Sequence, residues 1–123
     1  MSLASAFTGS ATVFAVADVV RSVAHYRDTL GFDVEFTWGE PPVYAGVERS
    51  GVLIHLQAAD GARRGPGAVY VFCRDVDALH AELAARGARV ILAPNDYDYG
   101  MRDFTIADPD GNRLSFGMEI KGQ

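Results

Sequence analysis

Cysteine is nearly absent from this chain. The single one, Cys73, allows no intramolecular disulfide, so no cross-linked secreted scaffold is read and a reducing cytoplasm is the natural setting. Cys73 also lies in an apolar strand pattern, where thiols are usually inert. No apolar run approaches the roughly 20 residues that span a bilayer. No charged segment followed by an apolar core opens the sequence, so neither a membrane partner nor a signal peptide is expected. A basic excess is missing as well. Eleven Lys and Arg stand against sixteen Asp and Glu, for a net charge of −5. Nucleic-acid phosphates need a basic face, so nucleic acid is excluded as a partner; a cationic small molecule is compatible. The Gly-rich stretch 61–67 lacks the Lys-Ser/Thr ending of a phosphate loop. No nucleophile, base and orienting group occur at spacings that would assemble them, so no catalytic residue is assigned.

What the chain does contain is a repeat. Ala11-Thr12-Val13-Phe14-Ala15-Val16-Ala17-Asp18-Val19 leads into a helical pattern and then Gly31-Phe32-Asp33-Val34. Ala68-Val69-Tyr70-Val71-Phe72-Cys73-Arg74-Asp75-Val76 leads into a second and then Gly87-Ala88-Arg89-Val90. Asp18 and Asp75 lie 57 residues apart. Self-similarity of this kind divides residues 1–123, one domain, into modules of about 11–58 and 68–119, joined by a polar Gly/Pro-rich loop over 59–67. Asp18 and Asp75 suit helix N-caps. Val19, Val23, Tyr26 and Leu30 recur at helical spacing, as do Val76, Leu79 and Leu83. Gly31 and Gly87 stop the helices. Strands are predicted near 33–38, 43–48 and 51–58, and again near 88–93, 101–107 and 112–119. Each half reads βαβββ, an α+β fold.

Strand alternation then sorts the faces. Phe14, Val16, Ile54, Leu56, Val69, Val71, Leu114 and Phe116 suit the helix-covered side. Val13, His55, Gln57, Tyr70, Phe72, Ser115 and Gly117 take the other. That second face is too polar for a core and too apolar for plain solvent, which suits a ligand cleft. In the closing hairpin, Asp108-Pro109-Asp110-Gly111-Asn112 has the residues of a tight turn, and Arg102 is expected to pair with a turn carboxylate.

The duplicated unit, with Ala24-His25-Tyr26-Arg27-Asp28-Thr29-Leu30-Gly31-Phe32 and the Asp108 to Asn112 turn, resembles the vicinal oxygen chelate superfamily of glyoxalases, extradiol dioxygenases and bleomycin resistance proteins. The segment Tyr99-Gly100-Met101-Arg102-Asp103-Phe104 is similar to that of the bleomycin resistance group. The resemblance implies two tandem modules whose mixed sheets curl around a cleft and are paired across a homodimer. It also implies four metal-ligand positions in the metal-dependent members, which fall here on Ala11, His55, Ala68 and Ser115. Three of these offer no competent donor, and His25 and His80 fall on helices away from the cleft face. No metal and no cofactor are therefore expected.

The candidate ligand-binding residues are Trp38, beside Gly39, Pro41 and Pro42; His55 and Gln57 on the cleft face; Tyr70 and Phe72 by alternation; Tyr97, Tyr99 and Met101 around the family segment; and Ser115. Glu35, Glu40, Asp96 and Asp98 read as a solvated rim. The function expected is sequestration of a cationic or aromatic antibiotic of bleomycin type, without chemistry. The alternatives are a lyase, isomerase or dioxygenase with an atypical metal site that includes His55, and a regulatory dimer with no small ligand.

Overall fold

A computed structural model describes residues 5–59 and 66–120, so most of the dividing loop lies outside the described residues. The elements run β1 (Thr12–Val16), α1 (Val19–Asp28), β2 (Asp33–Trp38), β3 (Tyr44–Arg49), β4 (Val52–Ala58), β5 (Ala68–Phe72), α2 (Val76–Ala85), β6 (Arg89–Asp96), β7 (Met101–Ala107) and β8 (Arg113–Glu119). This is βαβββ twice. Both helices start where an aspartate carboxylate replaces a missing backbone acceptor. Asp18 accepts the Arg21 N–H at 3.1 Å and Asp75 accepts the Ala78 N–H at 3.0 Å. Each ends before a glycine with positive φ, 75° at Gly31 and 93° at Gly87. Among the described residues no helix is long and apolar enough to cross a membrane.

The strands form two four-stranded mixed sheets, ordered β1-β4-β3-β2 and β5-β8-β7-β6. β1 runs parallel to β4, with Val13 opposite His55, and β5 parallel to β8, with Tyr70 opposite Ser115. Within one chain the sheets stay separate and do not close on one another. Their helix-covered faces share a single core. Phe14, Tyr26, Leu30 and Phe32 of the first module belong to the same buried cluster as Phe104, Ile106, Leu114 and Phe116 of the second. Each such side chain contributes roughly 1.5–3 kcal/mol when fully buried. The opposite faces are left bare.

β6 departs from the sequence reading. It runs on to Asp96 rather than stopping near 93, and it does so with register shifts between Val90 and Leu92 and between Leu92 and Asn95. Pro94 has no N–H to give a ladder, so an edge strand with an irregularity is where it fits. Arg102 also finds other partners than a turn carboxylate. It donates to Asp77 on α2 at 2.8 Å and to Asp96 at 3.0 Å, and the first of these bonds holds the Asp77 carboxyl below its ordinary range.

The modules are joined by two related contacts, each between a hairpin turn of one module and the helix of the other. The Arg49 guanidinium, beside the β3–β4 turn, donates to both Glu82 carboxylate oxygens on α2, at 2.9 and 3.1 Å, and to the Leu30 carbonyl at 2.8 Å. The β7–β8 turn is tighter and deeper. Asp108 is 1% exposed. Its carboxylate accepts the Tyr26 hydroxyl of α1 at 2.9 Å, the backbone N–H groups of Asp110 and Asn112 at 2.9 Å each, and the Asn112 amide at 3.0 Å. Asn112 Nδ2 also donates to the Ala15 carbonyl at 3.1 Å, its Oδ1 accepts from Gly67 N–H at 2.7 Å, and Asp110 accepts from Ala17 N–H at 2.8 Å. The turn thus clasps the first module as well as reversing the chain.

Removing a buried, fully bonded carboxylate leaves its donors without an acceptor, at about 1–3 kcal/mol each. Asp108→Ala is expected to lower stability by about 3–5 kcal/mol, and Tyr26→Phe by about 1.5–3 kcal/mol because its bond goes to a charged acceptor. Equilibrium denaturation measures both. A loss for Asp108→Ala no larger than that of a surface substitution would show that the turn does not join the modules.

Candidate functional site

The bare face of the first sheet carries a ring cluster. Phe36 lies flat on β3, and a Cβ at Gly46 would overlap its ring, so the glycine is needed there for space. Phe36 stacks on Tyr44 at 6.2 Å and meets His55 edge-on at 5.3 Å. The Tyr44 hydroxyl and His55 Nδ1 are hydrogen-bonded at 2.9 Å. No partner among the described residues occupies Nε2, and His55 is half-buried. Trp38, at the end of β2, is 68% exposed. A shallow cavity of about 590 Å³ is lined by Phe36, Trp38, Val43, Tyr44 and Gln57. Alternation alone left the face of Tyr44 open; its bond to His55 places it here.

The second sheet mirrors this arrangement with different chemistry. A Cβ at Gly117 would overlap the Tyr70 hydroxyl, so Tyr70 reaches across β8 only because position 117 is glycine. The hydroxyl donates to Asp103 Oδ2 at 2.9 Å, and the Tyr99 hydroxyl donates to the same oxygen at 2.6 Å. Tyr97 and Tyr99 stack at 5.5 Å with planes 7° apart, and Phe72, 78% exposed, lies 5.5 Å from Tyr70. Ser115 is bonded to Thr105 at 2.7 Å. Met101 begins β7 on this face, half-buried.

The candidate residues therefore fall into two sets. Trp38, His55 and Gln57 stand together on the first sheet. Tyr70, Phe72, Tyr97, Tyr99, Met101 and Ser115 stand together on the second. The two faces lie on opposite sides of the common core, so no single chain brings the sets together. Three residues of the faces were missed from sequence, Asp103, Phe36 and Thr105. The parity of β7 carried the signal for Asp103: it shares a face with Met101 and Thr105 and sits opposite Gly117.

The four family ligand positions test poorly for a metal. Ala11 and Ala68 have no donor atom, the Ser115 hydroxyl is engaged by Thr105, and His55 has one nitrogen already bonded. Among the described residues no three His, Cys, Asp or Glu side chains converge. One imidazole does not hold a divalent transition ion, so no chemistry is routed through one. Cys73 is no better a nucleophile, since burial pushes its thiol up.

The sequence profile of the Glyoxalase/Bleomycin resistance protein/Dioxygenase superfamily matches residues 10–116. The chain belongs to this superfamily. No curated protein sequence matches it. Among solved structures, a bleomycin-binding protein from bleomycin-producing Streptomyces verticillus, complexed with copper(II)-bleomycin, is 26% identical with a TM-score of 0.75, covering 94% of this chain and 98% of that one. TioX from Micromonospora sp. ML1 is 19% identical with a TM-score of 0.79, covering 93% and 100%. A lactoylglutathione lyase from Agrobacterium tumefaciens is 20% identical with a TM-score of 0.73, covering 90% and 92%. The last two likenesses show the superfamily fold alone.

The shared carboxylate has a titration signature. The Asp103 bond raises the Tyr99 phenol to about 12. Burial and then the Asp103 bond raise that of Tyr70, and burial and Asp108 raise that of Tyr26. For a raised pKa the folded state holds the proton more tightly. The stabilisation is complete below the ordinary phenol value of 10.0 and is lost as pH climbs toward about 12. Phenolate absorbance is expected to show a step near 12 that Tyr99→Phe removes. Gly117→Ala, by displacing Tyr70, is expected to lower the Tyr70 transition. Tyr99 ionising at its ordinary value would dissolve the shared-carboxylate arrangement.

Proposed function

We propose that this protein is a metal-free, dimeric small-molecule binder that sequesters a cationic or aromatic antibiotic of bleomycin type. The first-sheet face of one copy closes over the second-sheet face of the other, and the ligand lies between them. The observation that carries this reading is the pair of ring-lined faces on opposite sides of one core, with Trp38, Phe72 and Tyr99 largely exposed. Apolar surface of that kind, interrupted by a few placed polar groups, is what ligands and partner chains cover. Planar rings on both walls suit a flat ligand, each such contact contributing about 0.5–1.5 kcal/mol beyond burial. The copper(II)-bleomycin complex of the Streptomyces verticillus relative supports the ligand class. The acidic chain favours a cation through its long-range field. Binding by sequestration is stoichiometric and needs no turnover. The reading sets the protein in the cytoplasm, where Cys73 stays reduced.

One observation favours a second reading. His55 is held by Tyr44 with Nε2 directed away from that bond, the arrangement of an oriented general base. An enzyme of lyase or isomerase type would depend on it, and His55→Ala would then abolish turnover.

Light scattering on the eluted protein is expected to give twice the 13.2 kDa of one chain. Elemental analysis after purification without chelator is expected to give under about a tenth of a metal atom per chain. Calorimetric titration with bleomycin is expected to show saturable binding that Tyr99→Ala weakens by roughly 1–3 kcal/mol. A monomer, or a near-stoichiometric metal lost in His55→Ala, would move the protein to the enzyme reading.

A further inference from the structure

We infer that Asp103 is the anchor for a protonated nitrogen of the ligand, an ammonium or amidinium, and that the second-sheet face thereby selects cations. The inference rests on the binding-protein reading above and names a specificity-determining residue within it.

Asp103 is 6% exposed. Taking a carboxylate out of water is costly unless a cation or a full set of donors compensates. Asp108, the other buried acid among the described residues, meets that condition, and several more exposed acids also have a cation. Asp108 has four donors from Tyr26, Asp110 and Asn112. Glu82, Asp77 and Asp96 each have an arginine. Asp103 has neither. Among the described residues no Lys, Arg or His lies within ion-pair distance of it. Its two donors are both phenols, and both go to Oδ2. Oδ1 has no partner among the described residues, yet it is not sealed in. Among the described residues the enclosed side-chain atoms without partners are Ser22 Oγ and His25 Nε2, both on α1. Among those residues Oδ1 is therefore an open acceptor on the bare face.

The surroundings fit a cation and little else. Tyr70 and Tyr99 converge on the carboxylate from the middle of β5 and from the β6–β7 turn, with Tyr97 stacked behind one and Phe72 beside the other. Ring faces attract ammonium and guanidinium groups by about 0.5–2 kcal/mol, and an N–H donor to Oδ1 would add a charge-assisted bond. A ligand carboxylate or phosphate would meet like charge instead. The first-sheet face offers Phe36, Trp38 and Tyr44 with the amide of Gln57, so a bound ligand is oriented with its cationic end toward the second sheet and its planar neutral part toward the first.

Benzamidine and its neutral isostere benzamide test this directly, titrated into the full chain and into Asp103→Asn. Asparagine keeps an acceptor oxygen for the two phenols and drops the charge. Wild type is expected to prefer benzamidine by about tenfold or more, with the preference shrinking as salt rises. Asp103→Asn is expected to bind the two within about twofold and benzamide as wild type does. Equal affinities in wild type overturn the inference and leave the ring-lined cleft standing, a result that needs no variant to fold. A preference retained in Asp103→Asn also overturns it, leaving Asp103 as a holder of the two rings. Failure of both probes to bind wild type removes the binding-protein reading together with this one, whereas binding of benzamidine alone supports the inference.

Discussion

The buried carboxylate of Asp108 is the constraint on which the rest of the structure depends. Its four donors come from its own turn and from α1 of the other module, and Asn112 extends the network to β1 and to Gly67. A charge this deep is tolerated only when every lone pair is used. Satisfying it fixes the distance and angle between the two βαβββ units. The shared core then follows, because the helix-covered faces have no other surface to bury against. So do the bare faces, since all large-scale apolar burial is committed to the opposite side of each sheet.

The two inter-module joints are related but unequal, and the reason is turn length. The β3–β4 turn is the two-residue Ser50-Gly51, both with positive φ, 54° and 84°, the geometry of a tight hairpin. The β7–β8 turn is longer and reaches its neighbour's helix from within the core. The short turn leaves a cavity of about 590 Å³ between modules, lined by Leu30, Arg49, Val71, Cys73, Leu79 and Glu82. Its link is the Arg49–Glu82 pair, which holds the Glu82 carboxyl below its ordinary range and is about one-third exposed. A pair that open to water is screened by salt and contributes little. The modules are thus joined firmly at one end and loosely at the other.

Most of the fold was legible in the sequence because it rests on local rules. Asp18 and Asp75 cap, Gly31 and Gly87 stop, and period-two alternation assigned Phe14, Ile54, Leu56 and Leu114 to the core side, where they are buried. β6 was the exception, since its passage through Pro94 depends on tertiary pairing that tolerates a bulge. The faces were legible as lists and not as assemblies. Alternation put Tyr70 and Ser115 on one side, but nothing local says that Tyr70 crosses Gly117 to reach Asp103. Carboxylates were sought at strand ends and in loops, where Asp96 turns out to serve Arg102. The one that matters sits mid-strand, visible only once β7 is paired with β8. Likewise Asp108, Asp110 and Asn112 read as turn formers because their second role needs a partner about 80 residues or more away in the chain.

The polar groups on the two faces are held in place by their neighbours, which is what the proposed binding role asks for. His55 is tied to Tyr44, Ser115 to Thr105, and Asp103 to Tyr70 and Tyr99. Each is fixed by a neighbour on its own sheet, on strands whose positions the core determines. Groups held in this way lose little freedom when a ligand arrives, which is where affinity is gained without added contact area. Proton transfer asks in addition for an acid and a base with separated affinities converging on one substrate atom. Here the imidazole is on one sheet and the carboxylate on the other, facing away from each other in a single chain. In the proposed dimer they would stand on opposite walls of one cleft, where each could meet a different end of a bound molecule.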